Sequence, residues 1–455
     1  MPSVMNIKNE DIENRKKCGN YTISIIECST YSAFYANLFA KAGFKVVGVS
    51  TNPHTLKLLR KGRAPFFSKG GMELRKFQRE GDLITTSNPR EAASESDIII
   101  ISGQPSIDRK GKPDYSLLTK ICKDVGMGLQ KGSLVIFISS TGPGVIEGRM
   151  REILETTSGF KAGRDFGIAC SPIQTNSLQR DKKIFASSRI VGANDASSLR
   201  AASLVLSKIM PKIITVSGIK AAEAINIFQN LKRETNTALG NELALLCEKF
   251  KIDLAEALDV ASLDNAFQLP RPGLVRNLTR EDFYLIQEEA ENVNSNLRLS
   301  SLAKKINDDI ADYAFRLVRD ALKISGKTVR RTKISILGVS NLIDAKETPS
   351  PLIRNIINLF KRKVRRVQIY DPFFSQKELL ELGIESGKLS SVVEKTDCVV
   401  ILVGHSKFKR LNLNKIKFLA KKSPALVDIS LMLDPAKAEK SGFVYRGLGR
   451  GVWTK

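Results

Sequence analysis

At 455 residues the chain exceeds what one compact core supports, so two or three domains are expected. Its 42% hydrophobic content rules out general disorder, and no apolar run reaches the roughly 18 residues that a membrane-spanning helix needs. Six scattered cysteines without a CxxC pair, and two histidines, argue against a metal site, while a net charge of +25 and a pI near 9.8 leave polyanionic partners open.

Residues 1–20, MPSVMNIKNEDIENRKKCGN, are polar and mixed in charge and lack the apolar stretch of a signal peptide. They read as a short flexible lead-in, and a cytoplasmic location is the default. YTISIIE at 21–27 predicts a strand, followed by a helix and a second strand, FKVVGVS, at 44–50. DIIIIS at 97–102 and SLVIFIS at 133–139 are apolar on both faces, which predicts a parallel sheet covered on each side. Shorter strands at 166–170 and 189–191 complete a doubly wound α/β domain over 21–211.

From residue 217 the pattern becomes helical. Residues 219–250 contain no proline and a single glycine, with apolar positions three and four apart, predicting a helix of about 30 residues. Such a helix links domains or builds a dimer interface. With a second long helix over 297–324, it defines a central helical region, 212–326.

Strand–helix alternation restarts at Lys333 with KISILGVS, VQIYD at 367–371, DCVVILVG at 397–404 and ALVDI at 425–429, giving a smaller α/β domain over 327–455. This part holds 26 Lys and Arg against 11 Asp and Glu, densest in KRKVRR at 361–366. One reading is a patch for nucleic acid or another polyanion; the other is a solvated basic face. Cys28, Cys170, Cys247 and Cys398 lie in apolar runs and read as reduced core thiols.

Several strings, in order, resemble the UDP-glucose/GDP-mannose dehydrogenase family. FKAGRDFGIACSP at 160–172 is similar to the family's LKAGxDFxLxxSP, and AEAINIFQN with NELALLCEKFKID to its AELxKxxxN and NELAxLCEKxGID. DAKETP at 344–349, the YDP at 370–372 and GFVYRGLGRG at 442–451 match its last domain. The resemblance implies a three-part protein that uses NAD to oxidise the primary alcohol of a nucleotide sugar twice, through a cysteine thiohemiacetal.

At the positions that carry this chemistry the chain departs from the family. The glycines of GxGxxG correspond to Glu27, Ser29 and Ser32, and the ribose-holding acid to Ser50. A carboxylate at the first glycine would compete with a diphosphate for the helix N-terminus. The resemblance places Leu278 at the nucleophilic cysteine, Asn226 at the lysine and Ile173 at the glutamate, while Thr141, Asn230 and Asp282 retain the family residue. In the last domain Asn341 and Leu342 replace a Phe-Lys pair, Ser430 replaces a sugar-nucleotide arginine, and His405 matches a family histidine.

The expectation is a non-catalytic relative that binds or assembles, as a homodimer or with an active paralogue, with a UDP-sugar as possible ligand and NAD or NADP binding in doubt. Thr141, Asn230 and Asp282 keep open a divergent NAD(P)-dependent oxidoreductase, and the basic C-terminal region keeps open a polyanion binder.

Overall fold

Strands form where the chain runs apolar and β-branched. In Ile98–Ile101 and Leu134–Phe137 every side chain is buried, as a sheet covered on both faces requires. The computed structural model describes residues 3–28, 30–62, 70–108, 110–173, 188–263, 269–273 and 281–453. The chain divides into two compact units, Met1–Asn230 with Thr279–Asn296, and Leu231–Leu278 with Leu297–Lys455.

The first unit is built on an eight-stranded sheet. Its strands are β1 (Thr22–Ile26), β2 (Lys45–Val49), β3 (Leu83–Thr86), β4 (Ile98–Ile101), β5 (Leu134–Phe137), β6 (Gly167–Cys170), β7 (Ser188–Ala193) and β8 (Lys212–Val216), in the order β8-β7-β6-β5-β4-β1-β2-β3. Pairing is parallel from β3 to β6, with Ile23 opposite Ile98 and Ile98 opposite Leu134. It becomes antiparallel between β6 and β7, where Ala169 faces Ala193. Chain order reverses between β1 and β4, which opens a crevice at the carboxyl ends of those strands. Helix α1 (Thr30–Ala42) follows β1, and Ala33, Ala36, Phe39 and Ala40 pack on Ile23, Ile25 and Val46 in the core. Each fully buried Ile or Phe there stabilises by about 1.5–3 kcal/mol.

The second unit carries a five-stranded, wholly parallel sheet. Its strands β9 (Lys333–Leu337), β10 (Arg366–Tyr370), β11 (Cys398–Ile401), β12 (Ala425–Asp428) and β13 (Val444–Gly447) run in the order β10-β9-β11-β12-β13. The long helix α2 spans Ile219–Phe250; its residues through Asn230 belong to the first unit and the remainder to the second. Helices α3 (Leu254–Ala261), α5 (Arg298–Ile324) and α6 (Pro351–Lys363) lie in the second unit, and α4 (Glu281–Asn292) in the first. Inside the second unit, Asn241 donates to Asn307 at 2.9 Å, Asn307 donates to the Glu234 carbonyl at 3.0 Å, and the Gly273 amide donates to Asn241 at 2.8 Å. This buried amide relay ties α2 to α5 with most of its polar capacity filled.

Two expectations need correcting. Within the stretch read as a flexible lead-in, residues 3–20 form short helical turns at Val4–Asn6, Asn9–Ile12 and Arg15–Cys18 that bury Val4, Met5, Ile7, Ile12 and Cys18. Isolated apolar residues in a polar stretch show no periodicity, yet each meets a hydrophobic surface. The first sheet also continues past 211 into β8, an edge strand whose apolar residues stay partly exposed, unlike those of an inner strand. Among the described residues, no helix is long and apolar enough to cross a membrane. The six cysteines are free, and Cys247 alone is incompletely buried.

Because Ile12 is fully buried, Ile12→Ala should lower the unfolding free energy by about 2–5 kcal/mol. Urea unfolding followed by circular dichroism measures this, and an unchanged midpoint would mean that the lead-in is no part of the cooperative unit.

Candidate functional site

The turn after β1 is where a glycine would ordinarily sit. Glu27 occupies it with φ 58°, a left-handed backbone that costs a non-glycine residue roughly 1–2 kcal/mol. Its side chain reaches the end of β2, where the carboxylate accepts from the Thr51 amide at 3.0 Å and from the Thr51 hydroxyl. The Glu27 carbonyl accepts from Ser102 at 2.6 Å and lies 3.3 Å from the Ser32 hydroxyl, and the two serine oxygens are 3.0 Å apart. Ser32 therefore helps close the turn from within. Ser50 is buried and its hydroxyl accepts from the Asn52 amide at 3.3 Å, at the start of the next helix. Ser29 lies outside the described residues. Burial raises the thiol of adjacent Cys28 to about 12, so it stays protonated.

The loop after β5 is organised by an acid near the start of α2. Glu223 is 1% exposed and accepts from the Thr141 hydroxyl at 2.8 Å, the Gly144 amide at 2.6 Å and the Ile146 amide at 3.0 Å. Burial is the largest influence and pushes its pKa up to about 7, against the lowering effect of those three donors. The hydroxyl of Thr141 is thus spent on Glu223. Tyr115 adds a further tie, its hydroxyl accepting from the Gly142 amide at 3.3 Å.

One turn further along α2, Asn226 donates to the Ser140 hydroxyl at 3.0 Å. One turn beyond that, Asn230 donates to the Asp282 carboxylate at the start of α4, and both side chains are buried. The Oδ1 of Asn230 has no hydrogen-bond partner among the described residues. Ile173 is half-buried against the core of the first unit, so an aliphatic contact replaces a carboxylate there. Glu223, Asn226 and Asn230 are thus aligned on one face of α2 toward the β5 loop and α4. Leu278, with Val275 and Arg276, lies outside the described residues.

In the second unit the corresponding loops are also closed by carboxylates. Asp371, at the end of β10, accepts from the amides of Val339 at 2.8 Å, Ser340 at 2.9 Å and Phe373 at 2.9 Å. Its other neighbour is the fully buried His405, whose Nε2 lies 3.1 Å from Asp371 and whose Nδ1 accepts from the Asp344 amide at 2.9 Å. That amide leaves the proton on Nε2, which donates to Asp371. Burial raises the pKa of Asp371, but His405 and the amides outweigh it, and the net direction is down. Ser430 donates to Asp428 at 2.9 Å and is likewise committed. Among the described residues no group of three His, Cys, Asp or Glu is gathered as a metal ion would need.

The sequence reading passed over Glu223, Thr51 and Tyr115. Glu223 was visible in principle, since it precedes Asn226 by three positions and so shares its helical face. Thr51 and Tyr115 carried no signal, because their partners lie 24 and 27 positions away in the chain.

Three profiles of one family match the chain in order. They are described as the UDP-glucose/GDP-mannose dehydrogenase family NAD binding domain over residues 23–210, central domain over 220–309 and UDP binding domain over 336–435. A UDP-N-acetyl-D-mannosamine dehydrogenase from Pyrococcus horikoshii is 25% identical over 419 residues, covering 91% of this chain and 96% of that protein. A UDP-N-acetyl-D-glucosamine 6-dehydrogenase from Pseudomonas aeruginosa is 26% identical over 401 residues, covering 87% and 93%. Among solved structures, a UDP-D-ManNAc dehydrogenase from Pyrococcus horikoshii superimposes with a TM-score of 0.84 at 24% identity, covering 95% of this chain and all of that one. An NDP-N-acetyl-D-galactosaminuronic acid dehydrogenase from Methanosarcina mazei gives a TM-score of 0.75 at 26% identity, covering 97% and 99%.

Glu223 sets a pH dependence with a definite sign. Its pKa rises from 4.5 to about 7 on folding, so its contribution to stability is whole below about pH 4.5 and is lost as pH climbs through 7. Glu223→Gln removes the titration. The stability of the native chain relative to that variant should fall by on the order of 3 kcal/mol between pH 4.5 and 8. Urea unfolding across that range reads the difference, and parallel curves for the two proteins would refute the assignment.

Proposed function

The chain belongs to the UDP-glucose/GDP-mannose dehydrogenase family, and from that membership we propose that it is a member without the family's oxidation chemistry, serving as a binding or assembly subunit. The observation that carries this reading is the Glu27 carboxylate bonded to Thr51. The residues at this turn do not fit NAD or NADP. A dinucleotide needs a bare backbone after the first strand for its pyrophosphate, and an acceptor at the end of the second strand for its ribose. Here an anionic side chain spans both places, and the Ser50 hydroxyl accepts from Asn52.

The reacting positions support the same reading. Leu278 has no atom that forms a thiohemiacetal, Asn226 carries no charge to stabilise an oxyanion, and Ile173 exchanges no proton. Thr141 and Asp282, though retained, are engaged by Glu223 and Asn230 and act as framework. A nucleotide sugar bound without reaction is compatible with the UDP-binding-type second unit, in a cytoplasmic setting.

One observation favours the other reading, an oxidoreductase of altered chemistry: the free Oδ1 of buried Asn230 could orient a substrate hydroxyl or a water. Incubation of the purified protein with UDP-N-acetylmannosamine, UDP-N-acetylglucosamine or UDP-glucose and either nicotinamide cofactor separates the two. The expected result is no growth of reduced-nicotinamide absorbance and no shift of melting temperature with NAD or NADP. Sustained turnover would replace the non-catalytic reading with the second.

Assembly is supported by α2, which leaves Leu239, Leu246 and Phe250 exposed at seven- and four-residue spacing, a helical stripe of apolar surface. We assign this stripe to self-association or to pairing with an active paralogue. Leu239→Asp with Leu246→Asp should convert the dimer to monomer in sedimentation velocity, with helical content unchanged. An identical sedimentation coefficient for native and variant chains would remove this stripe from the interface.

A further inference from the structure

The basic excess of the second unit has a focus remote from its closed loops. Two chain segments enter the sheet side by side at the amino ends of the strands: the turn Val329–Arg331 before β9, and the last turn of α6 with Val364 and Arg365 before β10. The Thr332 carbonyl ties them together, accepting from the amides of Arg365 at 3.1 Å and Arg366 at 3.3 Å. Between them runs an open groove of about 660 Å³ lined by Arg330, Leu359, Arg362, Lys363 and Val364. Arg331 and Arg365 adjoin its lining residues Arg330 and Val364 in the chain.

Two of the local carboxylates are already engaged. Asp397 pairs with Lys327 and Lys421, at 3.3 and 2.8 Å, and Glu385 with Arg366. Arg330, Arg331, Arg362, Lys363 and Arg365 are all exposed, and none has a carboxylate within 4.0 Å among the described residues. Nearby Lys333 has its ammonium lowered first by burial and then by Arg366, with Glu394 and Glu385 acting in the opposite direction and Lys421 adding a smaller lowering. Cations in the last turn of α6 complement the helix dipole. That role does not extend to Arg330, Arg331 and Arg365, which lie on other segments. Nor does the groove belong to the nucleotide-binding edge, since ligands of open parallel sheets bind at the carboxyl ends of the strands.

We propose that this groove is a docking site for the phosphodiester backbone of nucleic acid, independent of the family's chemistry. Four of the five cations are arginines, whose planar forks suit phosphate oxygens. No aromatic residue lines the groove, so it offers no platform for unstacked bases, and binding is indifferent to sequence. No exposed apolar anchor lines it either, as an interfacial membrane site would require.

Five phosphate contacts predict a salt slope of about −4.5, hence a weakening of roughly 500-fold between 50 and 200 mM salt. Fluorescence anisotropy of a labelled 20-base-pair duplex of mixed sequence with the full-length chain tests this. The triple variant R330E/R362E/K363E should bind at least about 100-fold more weakly at 50 mM salt, with an unchanged thermal midpoint. R330Q/R362Q/K363Q gives the same direction if the reversed charges disturb folding. K437E/K440E, on a separate exposed helix of the same unit, should leave affinity within a few-fold. Absence of binding at 50 mM, or equal losses in the groove and control variants, would overturn the proposal. So would tighter, groove-dependent binding to phosphatidylserine vesicles than to the duplex, which would assign the surface to a membrane.

Discussion

A backbone amide in the loop beyond a parallel strand has left the ladder behind. It must find an acceptor, and in this chain the acceptors are the chain's own carboxylates. Glu27 takes the Thr51 amide, Glu223 takes Gly144 and Ile146, and Asp371 takes Val339, Ser340 and Phe373. Asp428 takes Ser430, Met432 and Leu433. The loops of both sheets hold their shape through these contacts, and the rest of the candidate site hangs from them.

The same solution plays out differently according to what else surrounds each acid. Glu223 is met by neutral donors and by the like charge of Glu147, so desolvation prevails and its proton is held toward neutrality. Asp371 is as deeply placed but faces His405 as well as three amides, and its carboxylate form is favoured. Glu27 differs again because it lies at the surface of the turn and acts by position. A fold whose crevice evolved to receive external anions has, on the proposed reading, been supplied with an internal one. On that reading, removing the nucleophile alone would leave a cofactor-binding shell, and filling the turn after β1 as well would make the two losses consistent with each other.

On the proposed reading, the remaining surfaces stay available for other roles. The apolar stripe on α2 and the basic groove beneath β9 and β10 depend on neither the β1 turn nor the β5 loop, so both would persist through the substitutions that distinguish this chain. Their physics also differs. Burial of the stripe is driven by water release and tolerates salt, whereas binding in an arginine-lined groove is governed by counterion release.

Much was legible in the residues themselves. Continuous apolar runs such as IIII and LVIF identified inner parallel strands, and the proline-free stretch ending at Phe250 identified the long helix, while only the resemblance to the family marked Glu27, Asn226, Ile173 and Leu278 as departures. These properties are local, or depend on a register that periodicity preserves. The tertiary structure alone decided that residues 4–18 dock, that β8 extends the first sheet as an edge, and that the segment Thr279–Asn296 belongs with the first unit. It alone also decided that Thr141 answers to Glu223 and Glu27 to Thr51. Such pairings join a side chain to a donor across 24 to 82 positions, and only the folded backbone brings the two within a hydrogen bond.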